Sequence, residues 1–228
     1  MTWLLALALL QTPAPGGGAL DDGTLVIRED TIEIARESFR LRYGRLARGG
    51  AGWTLATTVR FDRGRPVIVL APILEVSADT LPATLQYDVA DPNQPSRVLG
   101  ELGRGRFTVR MVSRASERAR EFATGDRTVV LDDSVFALYL FAAWLAGAPG
   151  DSTSVTAIVP RSLRRETLTV RNHGTTTTTL SRDPVTLRHV TVSGGPNQRV
   201  HVWLDAAGRL MKVEIPSRRL TAERLAGS

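Results

Sequence analysis

From Gly23 onward the chain is written mostly in short stretches that alternate apolar and polar residues, each closed by a turn signal. Between Thr31 and Tyr43 the apolar positions are Ile32, Ile34, Phe39, Leu41 and Tyr43, with charges between them. Between Trp53 and Phe61 they are Leu55, Thr57, Val59 and Phe61. A period of two is that of a strand with one buried and one solvated face. Arg48-Gly49-Gly50-Ala51-Gly52 supplies the turn, so these two stretches predict a long antiparallel hairpin. The parity slips between Ile34 and Phe39, which predicts a bulge. Further strands are expected at 24–27, 67–76, 85–89, 98–112, 118–122 and 128–131, the second of them broken at Pro72. Others follow at 155–159, 166–171, 175–180, 186–192, 199–205 and 209–215.

One segment departs from the alternation. Val135 to Ala146 reads VFALYLFAAWLA, with Asp132-Asp133-Ser134 before it as helix N-caps and Gly147, Pro149 and Gly150 after it as stops. A helix that is apolar all round must be enclosed. This one is too short to cross a bilayer, which takes about 20 apolar residues. It is therefore expected in the core, wrapped by sheet. The fold class expected is mainly β (α+β): a curved antiparallel sheet or half-barrel with one central buried apolar helix, in a single domain over residues 20–228.

Trp3 to Leu10 is an unbroken apolar run of the length of a signal-peptide core, typically about 7–15 residues. Residues 1–19 are expected to be a signal peptide cleaved near Ala19, although no Lys or Arg precedes the run and no clean A-x-A site follows it. The alternative is a buried N-terminal helix or strand. Export places the protein in the bacterial periplasm or outside the cell. The absence of cysteine excludes disulfides, thiol chemistry and a lipid-modified N-terminal Cys. With 43% hydrophobic and 23% charged residues, wholesale disorder and a polytopic membrane protein are also excluded.

Lys and Arg number 29 against 23 Asp and Glu, a net charge of +6, and Lys212 is the sole lysine. Such a chain attracts anions. The densest basic stretch holds Arg104, Arg106, Arg110, Arg114, Arg118 and Arg120. It reads either as an ordinary solvated face or as an anion patch suited to lipid head groups. It lacks the interleaved aromatics of a single-strand nucleic-acid platform, and nucleic acid is not an expected partner. Membrane contact is expected to be peripheral at most.

No complete catalytic motif is present: no G-x-S-x-G, H-E-x-x-H, P-loop or dinucleotide fingerprint. His189 and His201 flank the turn at Gly195 and face one another across neighbouring strands if the hairpin is centred there. With Asp205 they would suit a divalent metal and a metal-assisted hydrolase. The plainer reading is the solvated face of a hairpin whose other face is Val190, Val192, Val200, Val202 and Leu204. Asp132 and Asp133 read as helix caps, or as paired acids for acid/base work.

Two patches carry a family resemblance: Leu131-Asp132-Asp133-Ser134-Val135-Phe136-Ala137-Leu138-Tyr139, and Val202-Trp203-Leu204-Asp205 with Gly208-Arg209-Leu210 and Val213-Glu214-Ile215-Pro216. Together with the order of leader, hairpins, buried helix and late hairpins, they resemble the periplasmic lipoprotein-carrier (LolA/LolB-like) half-barrel superfamily, nearest to its bacterial families of unknown function. The resemblance implies a concave apolar face that shelters acyl chains, and no catalytic residues. The missing lipidation Cys favours a soluble carrier. The expected function is thus an exported, non-enzymatic protein holding a lipid or other hydrophobic ligand between sheet and helix, with no cofactor and no metal. Trp53, Phe61, Phe107, Phe136, Tyr139, Phe141 and Trp144 are the candidate lining residues, plain core packing being the other role open to them. An envelope interaction module with a protein partner is the alternative.

Overall fold

The computed structural model describes residues 19–63, 66–195 and 199–226, whose strands join in one 15-stranded sheet. The first half of the chain supplies β1 (Ala19–Glu29), β2 (Ile32–Arg45), β3 (Ala51–Phe61), β4 (Ile68–Ser77), β5 (Pro82–Ala90), β6 (Ser96–Gly103), β7 (Arg106–Ser113) and β8 (Glu117–Ala123). The second supplies β9 (Thr128–Val130), β10 (Ser152–Val159), β11 (Arg164–Leu180), β12 (Asp183–Ser193), β13 (Arg199–Leu204), β14 (Leu210–Ile215) and β15 (Leu220–Arg224). Within each half every strand lies beside its sequence neighbour, and β1 pairs with β15 to join the halves.

This order forces the sheet to curl. Its two edges are β8 and β9, which residues 124–127 connect. Five Cα steps reach roughly 18 Å at full stretch, so strands fourteen positions apart in the sheet must lie close in space. Neighbours are antiparallel except β9 and β10, which are parallel. A parallel pair needs a crossover, and here the crossover carries the helix. It runs as a 3₁₀ turn, Phe136–Leu138, and then α1, Tyr139–Trp144. Both lie inside the curl, with Phe136 to Ala143 almost fully buried. Because sheet surrounds it, this segment needs no polar face. Among the described residues no helix is long and apolar enough to cross a membrane.

Several expectations change in detail. The helical stretch is shorter than 135–146, since its first turn is 3₁₀ and only six residues are α-helical. Asp132, Asp133 and Ser134 make no side-chain cap to it. β4 is not broken at Pro72; the proline, having no N–H, interrupts only the β3–β4 ladder, where Thr57 and Thr58 lack register partners. The expected strand 98–112 is a hairpin, with Arg104 and Gly105 at φ 50 and 72 forming its turn. Segments 166–171 and 175–180 are one strand, β11, with a register shift between Asn172 and Thr175. The bulge in β2 is at Ile34: Ile27 pairs with Ala35 and Arg28 with Glu33, leaving Ile34 unmatched. The signal-peptide expectation falls on residues outside those described, except Ala19, which opens β1.

The halves are locked where they meet. Arg224 on β15 points into the barrel and grips Asp21 on β1, Nη2 to Oδ1 at 2.6 Å, with both side chains 5% exposed. It stacks over Phe39 at 5.4 Å and donates to the carbonyls of Asp22 and Leu210. Gly23 makes room for it, since a Cβ there would sit 2.8 Å from the guanidinium.

Candidate functional site

Between α1 and the inner face of β10–β13 lies a pocket of about 280 Å³. Its wall is Leu131, Ala157, Val159, Leu168, Val192 and Val200 from the sheet side and Tyr139 from α1. Alternation explains the wall: Val192 and Val200 are direct register partners, and every second residue of each strand faces inward. Small Ala and Val side chains here leave the space unfilled. The rim is charged: Asp132, Asp133, Arg161, Arg164 and Glu166.

Arg161 and Asp132 fix that rim. Arg161 Nε donates to Asp132 Oδ2 and Nη2 to Oδ1, both at 2.6 Å, a forked pair on a carboxylate only 1% exposed. Nη2 also reaches Asp133 Oδ1 at 3.2 Å. The Tyr87 hydroxyl donates to Asp132 Oδ2 at 3.2 Å, and the Ser134 N–H donates to Oδ1 at 2.9 Å. Burial works against the charge on Arg161, but the hydrogen bond and charge of Asp132 outweigh it, and the pKa lies above its usual value. Burial, then the Asp132 charge, raises Tyr87, which therefore stays a donor. The caps expected of Asp132 and Asp133 are thus ion pairs to Arg161 on the β10–β11 connection. Arg218 holds Asp133 from the other side, Nη1 donating to its carbonyl at 2.9 Å.

The helix is capped instead from β2. Glu37 Oε2 accepts the Phe136 N–H at 2.7 Å, and Oε1 accepts the Ala137 N–H at 3.0 Å and the Thr57 hydroxyl at 2.8 Å. Glu37 is fully buried. Burial pushes its pKa up to about 7; the three donors pull the other way, and the charge of Asp132 adds to the rise. Sequence reading missed Glu37, although its parity with Phe39 and Leu41 marks it as inward-facing.

Of the seven aromatic candidates, Tyr139 lines the pocket. Phe107, Phe136 and Phe141 are at most 1% exposed and pack in the core. Trp53, Phe61 and Trp144 are half-buried against it. Trp53 and Trp144 form an edge-on chain with Tyr43 and Phe141, with centroids 4.8–5.5 Å apart.

The histidines lie on the outer face. The register pairs His189 with Trp203 and Thr191 with His201, so the two histidines are diagonal rather than directly opposed. They still meet: His189 Nε2 and His201 Nδ1 are 2.9 Å apart, and the rings stack at 5.1 Å. His189 also stacks on His173 at 4.7 Å and on Trp203 at 4.9 Å. Lys212 lies 5.3 Å over Trp203, pairs with Glu214 and Glu223, and donates to the Thr179 carbonyl at 3.0 Å. Thr179 is at the tip of the β11–β12 hairpin, which therefore folds back over this face. Burial, then the charges of His201 and His173, lowers His189 to about 4. Asp205 is not with them. It holds the β13–β14 turn, accepting the N–H groups of Ala207 and Arg209 and the Arg209 guanidinium. Among the described residues no group of three or more His, Cys, Asp or Glu is set to hold a metal ion.

No family model matches this sequence, and no curated protein matches it significantly. Among solved structures, the chain is similar to a beta-barrel-like protein of Domain of Unknown Function DUF1849 from Brucella abortus. The TM-score is 0.55 at 12% identity, covering 90% of this chain and 94% of that one. That likeness shows a barrel-like fold.

Proposed function

We propose that this chain is a non-enzymatic binding protein of the bacterial envelope, holding a lipid chain or another hydrophobic ligand between its curved sheet and α1. The pocket beside Tyr139 is the observation that carries the reading. Its 280 Å³ is about twice the ~150 Å³ apolar cavity that suffices for benzene. Each CH₂ buried there contributes about 0.8 kcal/mol. The charged rim keeps the mouth solvated while the wall stays apolar, an arrangement common to small-molecule sites. The reading includes export to the periplasm or beyond, supported by the apolar run Trp3–Leu10.

Native mass spectrometry of protein recovered from a bacterial periplasm tests it. The expected result is extra mass that solvent extraction resolves to lipid, and its loss in Leu168→Trp, which fills the pocket. Ligand-free protein that also takes up no fluorescent fatty-acyl probe overturns the reading.

A second reading, an envelope interaction module, is favoured by β8. Among the described residues no strand pairs with its outer edge, and an extended segment of a partner would add there. A defined oligomer in sedimentation, with no extractable ligand, is the outcome that selects it.

A further inference from the structure

A second hollow, of about 470 Å³, lies on the other side of Arg161, which lines both it and the apolar pocket. The hollow is formed by the ends of β5 to β8. Its chemistry comes from the basic stretch singled out in the sequence. Half of that stretch is spoken for: Arg106 pairs with Glu121 at 2.9 Å, Arg110 with Glu117 at 3.5 Å, and Arg120 donates to the Leu163 carbonyl at 3.0 Å. Arg114 and Arg118 line the hollow, and neither has an ion-pair partner among the described residues. Arg161 spends its Nε and Nη2 on Asp132 and Asp133, which leaves the Nη1 edge without a partner among the described residues. The hollow's one acid is Asp91, whose Oδ1 accepts the Asn93 N–H at 2.9 Å.

We propose that the ligand is a single-chain anionic amphiphile. Its chain occupies the apolar pocket, and its carboxylate or phosphate head sits in the hollow on Arg114, Arg118 and the open edge of Arg161. The inference rests on the hydrophobic-ligand reading above and adds the head group to it. Guanidinium groups present paired N–H donors that match carboxylate and phosphate oxygens. Two of the three are exposed, so the head contact is salt-sensitive, while burial of the chain is not.

The test compares dodecanoate with dodecanol on the full protein at low ionic strength. Dodecanoate binds about tenfold tighter, and the gap closes at about 0.5 M salt. Arg114→Gln with Arg118→Gln brings dodecanoate down to the level of dodecanol and leaves dodecanol unchanged. Both positions are solvated, so the fold is retained. Acetate and inorganic phosphate, the heads without a chain, bind far more weakly than dodecanoate. Equal binding of dodecanoate and dodecanol overturns this inference and leaves the hydrophobic-ligand reading standing. Phosphate binding as tightly as dodecanoate overturns it in favour of a free-anion site. Failure of both twelve-carbon probes overturns both.

Discussion

Two titratable side chains, Glu37 and His189, occupy opposite faces of one sheet, and both are pushed toward their neutral forms. Inside, burial raises Glu37 to about 7. Outside, burial lowers His189 to about 4. The cause is shared, because removal from water disfavours charge whichever its sign. The neighbours differ. Glu37 receives two backbone N–H groups and a hydroxyl, all favouring its charge, and so it serves as a cap. His189 receives two other imidazoles, whose charge would repel its own. Burial alone therefore does not say what a polar group does; its donors and acceptors do. The interior cluster orders the helix, whereas the outer one holds a half-solvated stack.

The largest contrast between the faces comes from removing a partner. Arg161→Ala leaves the Asp132 carboxylate buried without its fork and is expected to cost about 3 kcal/mol. His189→Ala removes only stacking and one exchangeable hydrogen bond, about 1 kcal/mol. Urea unfolding of both variants reads the difference, and equal losses would erase the distinction between the faces.

The next effect is a pH slope from the interior. The folded Glu37 binds its proton up to about pH 7, while the unfolded one releases it near 4.5. The contribution of Glu37 to stability is therefore complete below pH 4.5 and is lost as pH rises to 7, by about 3 kcal/mol for a shift of this size. Glu37→Gln is expected to remove that slope at a constant cost of about 1–2 kcal/mol, since its amide turns a donor toward donors. Unfolding midpoints measured from pH 4.5 to 8 decide the matter; a slope that survives in the variant assigns it to another group.

The outer face tilts the other way, and more gently. His189 stays neutral in the folded chain down to about pH 4 but protonates near 6.5 when unfolded. Its contribution is complete above pH 6.5 and is lost as pH falls toward 4. Half exposure screens it, so the effect is expected below about 1 kcal/mol. Proton NMR of the three imidazoles sharpens the contrast: His189 titrates lowest, and an ordinary midpoint for it would mean that the stack does not form in solution.

Much of the architecture was legible in the residues. The hairpin of β2 and β3, the bulge near Ile34, the inward valines of β12 and β13 and the enclosed apolar helix all follow from local alternation and composition. The short β15 was not anticipated. Its role is to pair with β1 from the far end of the chain, and no local pattern encodes that. The candidate site was legible only in part. Tyr139 was named, but the valines and alanine that leave the pocket open read as ordinary strand residues. Glu37, Tyr87 and Arg161 were passed over because their significance lies in partners 100, 45 and 29 residues away.

Period and turn chemistry are properties of neighbouring residues, so the sequence by itself determined a curved, mainly antiparallel sheet around one apolar segment. Register across distant strands, the cap on the helix and the separation of Asp205 from the histidines are properties of the closed chain. Only the tertiary structure decided them, because a buried polar group takes whichever partner the curl brings within hydrogen-bond reach.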